Sequence, residues 1–226
     1  VLVEDVLSKV PLFAALDPEA DQALRSALLY ERFSRGDAVF SEGDAGDKLY
    51  AVIEGKVKIT RASPDGRENL QDVAGPGEMF GELSLFDPGP RTASAVAITD
   101  CTLATLTHDA LRPWLTGRPD VAMQLLQALA QRLRRTNDVL ADLVFSDVPG
   151  RVAKALLDLA DRFGVETPEG LRVAHDLTQE ELAQLVGASR ETVNKALADF
   201  AQRGWLQVEA RAVVLLDPER LGRRAR

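Results

Sequence analysis

The stretch Phe80-Gly81-Glu82-Leu83-Ser84-Leu85-Phe86, followed by Arg91-Thr92-Ala93, gathers residue types able to hold an anion beside a hydroxyl. A glycine without a side chain lets a ligand approach the backbone. Arg91 supplies a planar fork for a phosphate, and Thr92 supplies a hydroxyl. Glu82 would repel an anion unless it accepts a hydrogen bond from a hydroxyl on the same ligand, such as a ribose 2′-OH. A ligand carrying both a phosphate and a free ribose hydroxyl satisfies both residues. The same residue types fit a surface loop with an Arg–Glu ion pair equally well.

A second constellation lies near the C-terminus, in Thr178 to Ala196. Thr178 followed by Glu181 reads as a capping box that starts a helix over about 178–185. Ala183 is small enough for two helices to cross closely. Gly187 falls where a tight turn needs a left-handed residue. Ser189 caps a second helix over about 189–202, and Leu182, Val186, Val193 and Ala196 fall inward. These offsets are what a helix-turn-helix demands sterically. Its second helix then exposes Arg190, Glu191, Asn194 and Lys195 near its N-terminus, the end that meets base edges in a major groove. Arg190 suits guanine O6 and N7, and Glu191 suits cytosine N4. Thr192 and Lys195 suit phosphates or a further base. Thr178, Gln179 and Ser189, at the two helix starts, complete the expected DNA-facing set. Arg203, by contrast, fits a solvated charged face.

Catalysis is not expected. There is no nucleophile–base pair, metal cluster or phosphate-loop motif, and His108 and His175 fall in different segments. Cys101 is the one cysteine, so an intrachain disulfide, a thiolate zinc site and a cysteine-held iron–sulfur cluster are excluded. It reads as a small buried strand residue.

The elements that must position these residues follow from texture. Residues 5–30 read as short amphipathic helices, with Asp17-Pro18-Glu19 as a helix start. From Phe33 to Leu106 short apolar runs alternate with glycine- and proline-bearing breakers such as Glu54-Gly55, Pro64-Asp65-Gly66 and Gly75-Pro76-Gly77. Regular short strands of this kind predict an antiparallel sandwich or barrel. Pro119 to Phe145 contains no glycine and no interior proline. Leu126, Leu129, Leu133, Thr136, Leu140 and Leu143 recur there at alternating steps of three and four. That narrow seam is the pattern of a two-stranded coiled coil, whereas a helix packed on its own domain buries a wider stripe. Thr136, with Asn137 beside it, interrupts the leucines. Asp147-Val148-Pro149-Gly150 is expected to break this helix, and Arg151 to Phe163 to form the next. Glu166 to Gly170 reads as a loop. Trp205 to Val208 and Ala212 to Leu216 alternate as a hairpin, a wing after the helices.

Length and charge agree. The 226 residues suffice for two modest domains, and 46% apolar with 27% charged residues is an ordinary globular composition. No run approaches a membrane span, and Val1 to Val10 lacks a signal-peptide core, so a cytoplasmic protein is expected. The net charge of −8 alone argues against nucleic acid. However, residues 1–116 carry all of that excess acid, while residues 148–226 hold 12 Lys/Arg and 12 Asp/Glu. The back half can therefore present a basic face.

Taken together, Phe80 to Ala93 resembles the phosphate-binding cassette of the cyclic AMP receptor protein family, the catabolite activator and its relatives. Leu177 to Leu197 is similar to that family's helix-turn-helix, with Ser189-Arg190-Glu191-Thr192-Val193 its hallmark. Leu140 to Arg151 resembles the interdomain hinge, and Gly43, Gly55, Gly66, Gly77 and Gly81 match the sensor-barrel glycines. The resemblance covers nearly the whole chain and is nearest to the actinobacterial type. It implies an α+β fold: an N-terminal antiparallel β-roll, jelly-roll-like, that binds a cyclic nucleotide (1–116), a long dimerisation helix and hinge (117–146), and a C-terminal winged helix-turn-helix (147–226). Cyclic AMP would be the allosteric effector, with no metal. Gly81, Glu82, Leu83, Ser84, Arg91, Thr92 and Ala93 would line its site. Thr136 would bind adenine from its own subunit and Asn137 from the second. The implied partners are a second copy of the chain, palindromic double-stranded DNA and RNA polymerase, but no membrane. Two departures stand out: enteric relatives carry Ser at the place of Asn137 and Arg at the place of Lys195. Neither histidine is expected in the sensor pocket. The competing expectations are a relative that senses another ligand or none, and an architectural DNA-compacting protein.

Overall fold

The computed structural model describes residues 3–13, 16–64, 66 and 68–225. Asp65, within one predicted turn signal, lies outside the described residues. The chain divides into two compact units between Arg134 and Arg135, inside its longest helix.

The first unit opens with helix α1 (Val3–Leu7), a 3-10 turn at Pro11–Phe13 and helix α2 (Pro18–Ser26). Asp17 caps α2 by accepting from the Ala20 amide, with Pro18 at the first helical position. Eight strands follow: β1 (Leu29–Phe33), β2 (Ala38–Phe40), β3 (Lys48–Glu54), β4 (Val57–Ala62), β5 (Glu68–Ala74), β6 (Met79–Phe80), β7 (Ser94–Ala97) and β8 (Cys101–Thr107). A short helix α3 (Leu83–Phe86) interrupts them, and α4 (His108–Gly117) and α5 (Pro119–Phe145) close the series. The strands form two antiparallel four-stranded sheets, in orders β1-β8-β3-β6 and β2-β7-β4-β5.

Strand β3 shows why this sequence reads as a continuous apolar run. Tyr50 and Val52 point between the sheets, into a core with Val57, Ile59, Phe80, Ala95 and Leu103. Leu49, Ala51 and Ile53 point the other way, against Leu7, Leu12, Leu24, Leu111, Val121 and Leu125 of the flanking helices. Both faces of the strand are covered, so no polar alternation is needed. Cys101 is buried as predicted, with its thiol against the Lys56 and Thr99 carbonyls, and burial pushes its pKa up.

The second unit contains the end of α5, then α6 (Val148–Phe163), β9 (Gly164–Thr167), β10 (Gly170–Val173), α7 (Gln179–Val186), α8 (Arg190–Gln202), β11 (Leu206–Glu209), β12 (Ala212–Leu215) and α9 (Pro218–Arg224). Its sheet runs β11-β12-β10-β9. Val152, Leu156, Leu159, Leu182, Val193 and Phe200 are among its buried residues.

Four expectations need correction. Leu29–Phe33 is a strand, not a helix end or linker; as an edge strand it is mostly exposed and carries little alternation. The break expected at Asp147-Val148-Pro149-Gly150 is present, since α5 ends at Phe145, but the next helix begins at Val148 rather than Arg151, because Asp147 caps the Gly150 amide and proline is tolerated in a first turn. The expected loop Glu166 to Gly170 narrows to the two residues between β9 and β10. The wing is consequently part of a four-stranded sheet rather than a lone hairpin.

Candidate functional site

The sensor-side constellation is built around a buried guanidinium. The Arg91 backbone is fixed by the β2–β3 loop, its amide donating to Asp44 O (2.8 Å) and its carbonyl accepting from the Gly43 amide (2.8 Å). Its side chain is 5% exposed and lies over the Phe40 ring, 4.3 Å from the centroid. Tyr50 and Phe80 stack beside it at 5.2 Å. Nη1 donates to Gly81 O (2.7 Å) and Ser84 Oγ (3.2 Å), and Nη2 donates to Lys48 O (2.7 Å). Nε is buried and has no partner. A guanidinium carries five N–H groups in one plane, so three contacts on the far edge leave its Nε side available as a donor.

Gly81 is required for this arrangement. Its φ is +79°, and a Cβ there would lie 2.9 Å from Arg91 Nη1. Glu82, next in sequence, is only 2% exposed. Its Oε1 accepts from Arg132 Nη1 on α5 at 2.8 Å, and its Oε2 is buried without a partner. Arg91 and Glu82 are thus both buried and do not pair with each other, which removes the surface-loop alternative. What remains is one free donor on a cation and one free acceptor on a carboxylate. That is the pair a ligand with an anionic phosphate and a free hydroxyl would satisfy, and the residues fit a nucleotide of this kind.

The other predicted cassette residues are distributed around this centre. Ser84 and Ala93 are buried, with the Ser84 hydroxyl on Arg91; Leu83 and Thr92 are exposed. Thr136 and Asn137 are exposed on α5 in the second unit. Of the seam residues, Leu126, Leu133, Leu140 and Leu143 are 45–62% exposed and Leu129 is half-buried. His108 is closer to the centre than the sequence implied. Burial first, and then the Arg91 charge, lower its pKa, and its Nε2 is buried without a partner. Sequence reasoning missed Arg132, Phe40 and Tyr50. Arg132 lies 50 residues from Glu82 in the chain, beyond the reach of any local pattern.

The C-terminal constellation forms as the spacing predicts. Thr178 Oγ1 accepts from the Glu181 amide (3.2 Å), and Glu181 Oε2 accepts from the Thr178 amide (2.7 Å). Gly187 is left-handed, with φ +68° and ψ 44°. Ser189 Oγ accepts from the Thr192 amide (3.2 Å), and its hydroxyl also meets that of Thr192 (2.8 Å). Val193, Ala196 and Leu197 are buried, while Arg190, Glu191, Thr192, Asn194 and Lys195 share the exposed side. Gln179 is half-buried, with Oε1 unpartnered. Arg203 behaves as expected, paired with Asp199 at 2.8 Å and lying over Trp205. Among the described residues no group of His, Cys, Asp and Glu could hold a metal, and no helix is long and apolar enough to cross a membrane.

Comparison with known proteins places these two sites in one context. The cyclic nucleotide-binding domain family matches residues 30–116, and the Crp-like helix-turn-helix domain family matches residues 150–224. The chain is 58% identical to the CRP-like cAMP-activated global transcriptional regulator of Mycobacterium tuberculosis, over 99% of this chain and 100% of that one. It is 38% identical to the cyclic AMP receptor protein of Thermus thermophilus, over 92% and 95% of the two chains. Among solved structures, FixK2 from Bradyrhizobium japonicum is similar, with a TM-score of 0.78 at 25% identity, covering 87% of this chain and 96% of that one.

Proposed function

Because the chain belongs to the family of CRP-like, cyclic-AMP-activated transcription regulators, we propose that it is a cyclic-AMP-switched DNA-binding regulator that acts as a homodimer on a palindromic operator. It is a regulator and not an enzyme. The observation that carries the effector reading is the buried pair of unpartnered atoms, Arg91 Nε and Glu82 Oε2. A cyclic phosphate answers the first and a ribose hydroxyl the second. Gly81, Ser84, Thr92 and Ala93 shape the rest of the phosphate cradle, with Leu83 on its outer side. Thr136 and Asn137 serve the adenine from the two subunits.

The exposed leucine seam supports a second copy as the occupant of α5. A row of leucines 45–62% exposed along one helix is costly in water and is the surface a parallel two-stranded pairing buries. The exposed side of α8 supports major-groove reading by Arg190, Glu191, Asn194 and Lys195, with Thr178, Gln179, Ser189 and Thr192 on the phosphates. RNA polymerase is the partner expected of a cytoplasmic regulator of this kind.

Calorimetric titration with cyclic AMP and cyclic GMP, followed by operator binding with and without each, tests the reading. Cyclic AMP should bind and tighten operator binding. A chain that binds neither nucleotide is not a cyclic-nucleotide sensor.

A further inference from the structure

The Arg151 side chain performs a task that neither the effector site nor the DNA face accounts for. It lies in the first turn of α6, and its guanidinium touches backbone on two other elements. Nη1 donates to the Ser146 carbonyl at 2.8 Å, just past the end of α5. Nε donates to the Val186 carbonyl at 3.0 Å and Nη2 to the Gly187 carbonyl at 3.1 Å. Helix C-termini leave carbonyls without amide partners and carry partial negative charge. One guanidinium therefore answers the loose ends of α5 and α7 at once. Two further contacts join the same elements. Leu143 of α5 packs so closely over Gly187 that a Cβ there would lie 2.8 Å from Leu143 Cδ2. Lys154 of α6 pairs with Asp142 of α5 at 2.6 Å.

Ser189 and Arg190, where α8 begins, follow Gly187 by two and three residues. Fixing Gly187 to the end of α5 therefore fixes the start of the recognition helix to the helix that carries the dimer seam. Across a two-fold axis along that seam, the same link sets the separation of two recognition helices. On the strength of the dimeric DNA-binding reading above, we infer that Arg151 is a positioning residue that sets half-site spacing. It holds the turn of the helix-turn-helix to the end of α5.

Arg151→Met keeps the apolar stem and removes the fork. Arg151→Lys keeps the charge but supplies a single point donor, which cannot grip two adjacent carbonyls and a third on another element. Both variants are made in the full chain, with cyclic AMP calorimetry and thermal melting as controls. The readout is operator affinity, in saturating cyclic AMP, on the optimal palindrome and on palindromes with the spacer one base pair longer or shorter. Wild type should discriminate sharply between spacers. Arg151→Met should keep its cyclic AMP affinity and lose spacer discrimination on the order of tenfold, as expected when several charge-assisted hydrogen bonds go. Arg151→Lys should resemble it rather than wild type, and carries the test alone if the methionine variant does not fold. Wild-type discrimination in a folded variant overturns the inference, as does an equal loss of affinity on every spacer, which a merely structural role would produce. If wild type itself binds no palindrome, the parent reading fails, and this one falls with it.

Discussion

Arg91 commits three hydrogens to Gly81 O, Ser84 Oγ and Lys48 O, and that commitment fixes where its Nε edge points. The Phe40 ring at 4.3 Å holds the plane of the guanidinium. Contacts within the protein are therefore enough to orient the Arg91 side chain. Arg91→Leu should weaken cyclic AMP binding by about 3 kcal/mol, on the order of a hundredfold, because the charged Nε donor proposed for the phosphate is lost. The dimer should survive, since the seam lies on another element. Calorimetry checks the affinity and sedimentation the dimer; unchanged affinity would remove Arg91 from the phosphate site. Arg190 is argued at the same scale. It is exposed at the start of α8, where a guanidinium can pair with guanine O6 and N7. Arg190→Ala should cost about 1–3 kcal/mol on the operator and relax preference at one position per half-site. Competition between operator and random duplex decides. An equal loss on both would make Arg190 a phosphate contact instead.

At the scale of elements, α5 carries a row of exposed leucines. Val121 and Leu125 at its start are buried in the first unit's core, while Leu126, Leu133, Leu140 and Leu143 are left exposed. Thr136 sits among those leucines. On the dimer and adenine reading proposed above, a polar residue there makes the apolar pairing weaker, and an adenine contact at Thr136 offsets that weakness. Thr136→Leu should therefore tighten ligand-free operator binding and shrink the response to cyclic AMP, read by anisotropy at fixed salt. Ligand-free affinity at or below that of wild type would leave Thr136 as a ligand contact only. Both the helix over Pro119–Phe145 and the capping box at Thr178 were legible in the sequence, because their signals are local: heptad spacing in one, a three-residue offset in the other. Several strands of the first unit, among them β2, β3, β4, β5 and β7, were legible as short apolar runs, whereas the short β6, β9 and β10 were not. Strand β1 was not, because an edge strand half in water needs no pattern. The Glu82–Arg132 and Arg151–Gly187 contacts were not legible either, since each joins residues tens of positions apart through tertiary packing. At the cassette the residue types were readable. What separated a site from a surface ion pair was burial, which only the fold supplies.

The whole molecule meets DNA with a net charge of −8 per chain, so attraction to phosphate must come from a restricted face. Most cations of the second unit are already occupied. Arg162, Arg172, Arg203, Arg220, Arg223 and Arg224 pair with Asp158, Glu209, Asp199, Asp217, Glu219 and Asp147, and Lys154 pairs with Asp142. Arg151 is held by carbonyls. Arg135 on α5, Arg190 and Lys195 on α8, and Arg211 make no ion pair among the described residues, and Arg211 lies at the exposed tip of the β11–β12 wing with φ +61°. In the proposed dimer, Arg190, Lys195 and Arg211 of the helix-turn-helix and wing then offer about six uncommitted cations to the duplex. Counterion release scales as about 0.9 per neutralised phosphate, so log K against log salt on the operator should have a slope near −5. Arg211→Ala, which removes one cation per subunit, should make that slope shallower by about 2. With so small an electrostatic contribution, binding to random duplex near 0.15 M salt should be at least about a thousandfold weaker than to operator. Anisotropy titrations over a salt series on both duplexes measure all three quantities. A slope near −10 would mean that the paired arginines leave their carboxylates on binding DNA. Random-duplex affinity within about tenfold of the operator, below the usual specificity ratio, would instead favour an architectural protein that coats DNA without reading it.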